Sequence, residues 1–115
     1  MAFQPAGRAL AMFDGEEAVG MMLLYDARLD KEEPAEQLYV WHILIDARHQ
    51  KRGLGRLAMA WVVEEARRWG VPEVGLSHVG LPGNAGPFYE KLGFTYTGEV
   101  EDGEHKMILR LAALP

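Results

Sequence analysis

The chain has 115 residues, 49% hydrophobic and 25% charged, with 13 glycines, 6 prolines and no cysteine, a globular composition that excludes a disordered or collagenous chain. Lacking cysteine, it has no disulfide framework, no thiolate nucleophile and no Cys-based zinc or iron–sulfur centre. Its 12 basic and 17 acidic residues leave a net charge of −5, which repels nucleic-acid phosphates and anionic lipid and favours cations beside an acidic cleft. Charge-free stretches such as residues 18–25 and 37–45 fall short of the ~20 apolar residues of a membrane helix. The first ten residues lack a secretory-signal pattern. A cytoplasmic protein with one domain over residues 1–115, and no membrane or nucleic-acid partner, is expected.

Residues 8–13 read as a strand, and Asp14-Gly15 is a hairpin signal leading into the apolar run at 18–25. Charges and Pro34 make 26–36 a solvated loop. Residues 38–45 then supply a buried strand rich in branched and aromatic side chains, ending at Asp46. From Gly53 to Trp69 the apolar residues switch to helical spacing, with Leu54, Leu57, Ala58, Trp61, Val62 and Trp69 near one stripe and Glu64, Arg67 and Arg68 off it. Gly70 and Pro72 stop that helix. A strand at 74–79 following it runs parallel to 38–45 through a right-handed crossover. A Gly/Pro-rich loop at 80–87 precedes a short helical piece at 88–92 that Gly93 ends. Residues 94–98 and 105–111 close the chain as a hairpin around Asp102-Gly103. The fold expected is mixed α/β, its sheet antiparallel at both ends and parallel at the crossover. Trp41, Trp61, Trp69, Met21, Met22 and Met107 are expected in the core.

The sharpest local feature is Gln50-Lys51-Arg52-Gly53-Leu54-Gly55, between a buried strand and a helix start. Glycines there let backbone N–H groups crowd towards an anion, and the helix N-terminus adds about half a positive charge. Two plainer readings stand beside this one: a simple strand-to-helix turn, and a solvated basic step. The P-loop spacing is absent. Gly53-x-Gly55-x-x-Ala58 matches the loose form of a dinucleotide fingerprint, which keeps an NAD-binding domain as a rival. However, six residues separate Asp46 from Gly53, and no acidic residue ends the next strand.

A Gln or Arg, two residues, Gly, one residue, then Gly or Ala between strand and helix resembles the pyrophosphate loop of the GNAT N-acetyltransferases. Phe88-Tyr89-Glu90-Lys91-Leu92-Gly93-Phe94 is similar to that family's second signature, in its expected place after the next strand. The resemblance runs from about residue 8 to 111. It implies a GNAT-like acyl-CoA-binding fold with acetyl-CoA as co-substrate and no metal. Gln50 would open the loop, and Lys51, Arg52, Gly53, Leu54, Gly55 and Arg56 would surround the pyrophosphate. The pantetheine arm would pair along Ile43, Leu44 and Ile45. Asn84 is either an amide contact to that arm or a turn residue. Tyr39-Val40-Trp41-His42-Ile43-Leu44-Ile45-Asp46, Phe94-Thr95-Tyr96-Thr97-Gly98-Glu99 and Asp102-Gly103-Glu104 look like the bacterial spermine/spermidine branch, which implies a polyamine acceptor and a homodimer. The family usually has another strand and one or two helices before the first hairpin, lining the acceptor pocket; this chain begins almost at the hairpin.

Acetyl transfer needs a neutral amine to attack the thioester, a donor to polarise its carbonyl, and a proton for the departing thiolate. Tyr89 is the general-acid candidate, since a phenol of pKa about 10 can protonate a thiolate whose acid lies near about 8.5; the plainer reading is a Tyr packed under a loop. The oxyanion would be held by a backbone N–H near Ile43 or Leu44, freed if the strand bulges or splays from its parallel neighbour. His42, mid-strand, is a candidate base beside a water relay to a carboxylate, and is equally readable as structural. His49 and His78 are weaker candidates. Glu32, Glu33, Glu36, Glu101, Asp102 and Glu104 could meet a polycation or be merely solvated. The leading function is transfer of acetyl from acetyl-CoA to a primary amine by direct attack. The alternative is a CoA-binding module without catalysis, or one completed by a partner chain.

Overall fold

The computed structural model describes residues 7–49, 53–79 and 85–111. In chain order these form β1 (Gly7–Asp14), β2 (Glu17–Asp26), β3 (Leu38–Ile45), α1 (Leu54–Trp69), β4 (Glu73–Val79), α2 (Gly86–Lys91), β5 (Thr95–Glu101) and β6 (Glu104–Arg110), with 3-10 turns at Ala27–Leu29 and Ala47–His49. The six strands make one sheet in the order β1-β2-β3-β4-β6-β5. Only β3 and β4 pair in parallel, joined through α1. The mixed α/β fold read from the sequence is therefore the fold observed.

Local chemistry sets the boundaries. Asp102 and Gly103 both take positive φ, 52° and 80°, the handedness that matches a two-residue hairpin to the twist of its strands. α1 runs between two left-handed glycines, Gly53 (φ 77°) and Gly70 (φ 75°). At its end the Gly70 N–H donates to the Arg67 carbonyl and the Val71 N–H to Ala66, which satisfies carbonyls that the helix leaves open.

α1 buries Ala58, Met59, Val62 and Ala66 against Met22, Leu24, Leu38, Val40, Val74, Leu76 and Met107, with Phe94 closing the cluster from the turn before β5. Tyr89 and Leu92 bring α2 to the same core. Among the described residues no helix covers the opposite face of the sheet.

Several expected core residues lie elsewhere. Leu57 is 65% exposed and Trp61 37%, because the buried stripe is rotated towards Met59; both instead line an apolar groove with Leu10, Met12 and Phe13 of β1. Met21 is exposed because strand alternation turns Met22 inward. Trp41 is 45% exposed because alternation from the buried Leu38 and Val40 sets it beside Tyr39 on the other face. Trp69 is half-buried, its ring lying 5.8 Å from the guanidinium carbons of both Arg8 and Arg28.

Gly20 of β2 pairs with Ile45 of β3. A Cβ there would strike the Leu44 carbonyl oxygen and come within 2.7 Å of Met12 Cε. Gly20→Val should therefore lower unfolding stability in urea by about 1–3 kcal/mol, the usual cost of overpacking. It should also displace the end of β3, so that ligand binding in the adjoining cleft weakens together with the midpoint.

Candidate active site

β3 is joined to β4 by three rungs only, Leu38–Val74, Tyr39–Gly75 and Val40–Leu76. β3 nonetheless continues to Ile45 and β4 to Val79. The β2–β3 register shows why they part. Leu24 faces Val40 and Leu23 faces His42, which leaves Trp41 as an extra residue in β3. Such a bulge bends and twists its strand. Beyond it, β3 follows β2 up to the Gly20–Ile45 rung, while β4 follows β6 up to Val79–Glu104. A wedge opens between them, and the edge of β3 over residues 41–44 faces that wedge instead of a strand.

On the helix face, Ile45, His49, Gly53, Leu54, Gly55, Arg56, Ala85 and Phe88 line a cavity of about 600 Å³. A Cβ built on Gly53 meets nothing within 4 Å, and one on Gly55 reaches only the Phe88 ring, at 3.5 Å. The backbone is thus open to close approach. α1 starts here without a side-chain cap, so its first N–H groups and the positive end of its dipole are presented at the cavity. Five of the expected cofactor contacts, Ile45, Gly53, Leu54, Gly55 and Arg56, meet at this one place. Ile43 packs against the core and Leu44 is 54% exposed. Gln50, Lys51, Arg52 and Asn84 lie outside the described residues.

The same cavity contains a residue that sequence reasoning rated low. His49 is 7% exposed; its Nε2 lies 3.0 Å from Glu17 Oε1, and its backbone N–H donates to the Asp46 carbonyl at 2.8 Å. It ties the turn leaving β3 to the start of β2. A lone histidine before a basic loop gives no signal of such a tie.

Tyr89 sits mid-way along α2, half-buried, with its ring centroid 5.4 Å from Phe88, 5.8 Å from Phe94 and 6.4 Å from His78. Burial raises its phenol above the ordinary value of 10.0, so it is protonated at neutral pH and able to donate. His78 lies on β4 beyond the last β3–β4 rung, which puts Tyr89 against the β4 side of the wedge. His42 is exposed on the β3 side, between Trp41 and Ile43.

The uncovered sheet face holds a second, larger groove of about 690 Å³ that sequence reasoning did not find. Its carboxylates are Asp30, Glu33, Glu73, Glu99 and Glu101, against Lys106 and Arg110. Lys106 Nζ is already engaged by Glu99 at 3.4 Å and Glu101 at 3.3 Å. The rings of Tyr25 and Trp41 stack at 5.0 Å and 24°, and the Tyr25 hydroxyl donates to Asp30 at 3.0 Å. The groove floor is kept low by Gly75, where a Cβ would collide with the Gln37 side chain, itself donating to Glu73 at 2.9 Å. β3 lines this groove at Trp41 and the cavity on the helix face at Ile45.

A cleft at the strand-to-helix turn, open at the start of α1, thus lies beside a wedge in a mixed sheet. The family model described as Acetyltransferase (GNAT) family matches residues 1–94. The chain belongs to that family. Its GNAT fold is shared with an acetyltransferase from Bacillus subtilis in complex with CoA, with a TM-score of 0.77 at 18% identity over 93% of this chain and 78% of that one. An acetyltransferase from Thermus thermophilus matches with a TM-score of 0.77 at 27% identity, over 93% of this chain and 66% of that one. The PaiA N-acetyltransferase from Thermoplasma acidophilum, in complex with coenzyme A, matches with a TM-score of 0.73 at 16% identity, over 92% of this chain and 62% of that one. The GNAT chain described here thus spans about two-thirds to three-quarters of the length of these neighbours. No curated protein sequence matches it.

Gly55→Glu would set bulk and a carboxylate at the mouth of the helix-face cavity, beside Phe88. Thermal stabilisation by CoA should be lost in this variant while its unliganded melting temperature stays within a few degrees of wild type. Retention of wild-type CoA affinity would move the anion site elsewhere.

Proposed function

We propose that this chain, as one domain over residues 1–115, transfers acetyl from acetyl-CoA to a primary amine by direct attack, with a polyamine as acceptor. The observation that carries the reading is the wedge at Trp41, with an anion-accepting cavity on one side of the sheet and a carboxylate-rich groove on the other. The CoA-bound neighbours from Bacillus subtilis and Thermoplasma acidophilum support the cofactor half. The α1 N-terminus, Gly53, Leu54, Gly55 and Arg56, with Gln50, Lys51 and Arg52, would hold the pyrophosphate. The pantetheine arm would run along Ile43, Leu44 and Ile45, with Asn84 as a further contact.

The chemistry follows from what faces the wedge. A backbone N–H near Ile43 or Leu44 polarises the thioester carbonyl and holds the oxyanion. The amine enters from the open face, where carboxylates and the Tyr25–Trp41 stack favour a cation. His42, or a water leading to a groove carboxylate, takes the ammonium proton. Tyr89 gives its hydroxyl proton to the departing thiolate, and burial keeps that proton in place until it is needed. A cytoplasmic homodimer completes the proposal; the edge strand β5, exposed along its whole length, supports assembly through the late strands.

Three measurements test the reading. With acetyl-CoA, spermidine and spermine should turn over faster than a neutral-tailed alkylamine, and their advantage should shrink as salt rises about tenfold, to about 0.5 M, because screening weakens an exposed charge preference. Equal rates for all amines would sink the polyamine assignment, and CoA-induced stabilisation with no turnover would favour the non-catalytic module. Tyr89→Phe should lower kcat by about 10²–10⁴-fold while melting temperature and CoA affinity hold; a structural tyrosine would do the reverse. Because burial raises the Tyr89 phenol, the rate should climb with pH as the ammonium deprotonates and show no alkaline fall below about pH 10.

A further inference from the structure

Each turnover through Tyr89 leaves a phenolate that must recover a proton before the next. Tyr89 is half-buried among Phe88, Phe94 and His78, whose rings close part of its surface to water. Three polar rings that the acetyl-transfer mechanism does not use cluster near the end of β4, and one of them, His78, lies beside Tyr89. His78 of β4 is 6.4 Å from the Tyr89 ring, centroid to centroid and tilted by 36°. Its Nε2 is 2.9 Å from the Tyr96 hydroxyl on β5. It also stacks at 5.9 Å and 23° on His105, its cross-strand partner on β6. Tyr96 is 45% exposed. The cluster thus runs from a half-buried phenol, through an imidazole, to a phenol in contact with solvent.

We infer that His78 resupplies the Tyr89 proton between turnovers, with Tyr96 as its link to solvent; the inference rests on the general-acid reading of Tyr89. The proton balance closes. The Tyr89 O–H bond breaks as the S–H bond of CoA forms. The phenolate O–H then re-forms, directly or through one water, as a His78 ring N–H bond breaks. His78 regains its proton at Nε2 from the Tyr96 hydroxyl, and Tyr96 takes one from bulk water. The attacking ammonium gives two protons to solvent and the relay takes one up, so one proton is released per acetyl transferred. His105 flanks the path from β6, which makes Tyr89, Tyr96 and His105 the titratable groups facing His78 from α2, β5 and β6. The imidazole is a shuttle here, acting through Tyr89, and does not touch the substrate.

The test separates the first turnover from later ones, because the first thiolate uses a proton already on Tyr89. Rapid-mixing assays of thiol release with acetyl-CoA and spermidine would be run on wild type, His78→Phe, His78→Ala, Tyr96→Phe and Tyr89→Phe, with melting temperatures alongside. His78→Phe and Tyr96→Phe should release the first thiol within about twofold of the wild-type rate. Their steady-state rate should then fall by about tenfold or more, towards the scale of a lost positioned proton transfer, leaving a burst of one thiol per chain. Free imidazole at constant ionic strength should restore the steady state of His78→Ala. Tyr96→Phe keeps an exposed ring in place, so it carries the test if the His78 variants fold poorly. First and later turnovers slowed alike, or a steady state unchanged in both relay variants, would overturn the relay. A wild-type first turnover in Tyr89→Phe would instead remove the general acid on which the relay depends.

Discussion

Strand β3 cannot stay paired with both neighbours along its whole length. The inserted Trp41 and the closely fitted Gly20–Ile45 rung hold its second half to β2, while seven rungs hold β4 to β6. The parallel pair in the middle of the sheet therefore splits after Val40 and Leu76. A strand edge without a neighbour leaves backbone donors and acceptors open. Here it lies where an extended arm could complete the ladder, flanked by an anion-accepting cavity and an acidic groove. Fold and site share one constraint, since the bulge that ends strand pairing also creates the space for chemistry.

Much of this was legible in the residues. Asp102-Gly103, Gly53 and Gly70 mark turns and helix ends that the backbone takes up with positive φ, and the order strand, helix, strand requires the parallel crossover. What the residues concealed has physical causes. Trp41 reads as core because the run 38–45 is apolar on both faces and hides its alternation, whereas Leu38 and Val40 take the buried face and leave Trp41 beside Tyr39 on the other; the bulge after it has no side-chain signature either. Leu57 and Trp61 fit a helical stripe, yet the sheet beneath meets α1 along Ala58, Met59, Val62 and Ala66. Both apolar arcs satisfy the periodicity, and only tertiary packing chooses between them.

The acidic groove was hidden for a different reason. Asp30 and Glu33 come from a loop, Glu73 from the start of β4, and Glu99 and Glu101 from β5; Glu33 and Glu101 are readable as polycation contacts, but nothing in the sequence joins them to Asp30, Glu73 and Glu99. The sheet order β4-β6-β5 brings them to one face. His49 shows the same limit at shorter range, since its partner Glu17 lies 32 positions earlier and becomes a neighbour only through the β2–β3 pairing.

The floor of the open-face groove at Gly75 is main chain, with the Gln37 side chain filling the place where a Cβ would stand. A ligand lying there meets the Gln37 side chain over Gly75 and the side chains of the surrounding walls. Those walls are largely exposed positions on a loop and an edge strand, where substitutions usually shift stability by no more than about 0.5 kcal/mol. The helix-face cavity, by contrast, is built in part on the left-handed Gly53 and the buried, Glu17-tied His49, positions that tolerate little change. On the reading proposed above, with the acceptor in the groove and the cofactor in the cavity, acceptor choice can drift through mutation of the rim while the cofactor side stays fixed, so the two halves of the site are free to evolve at different rates.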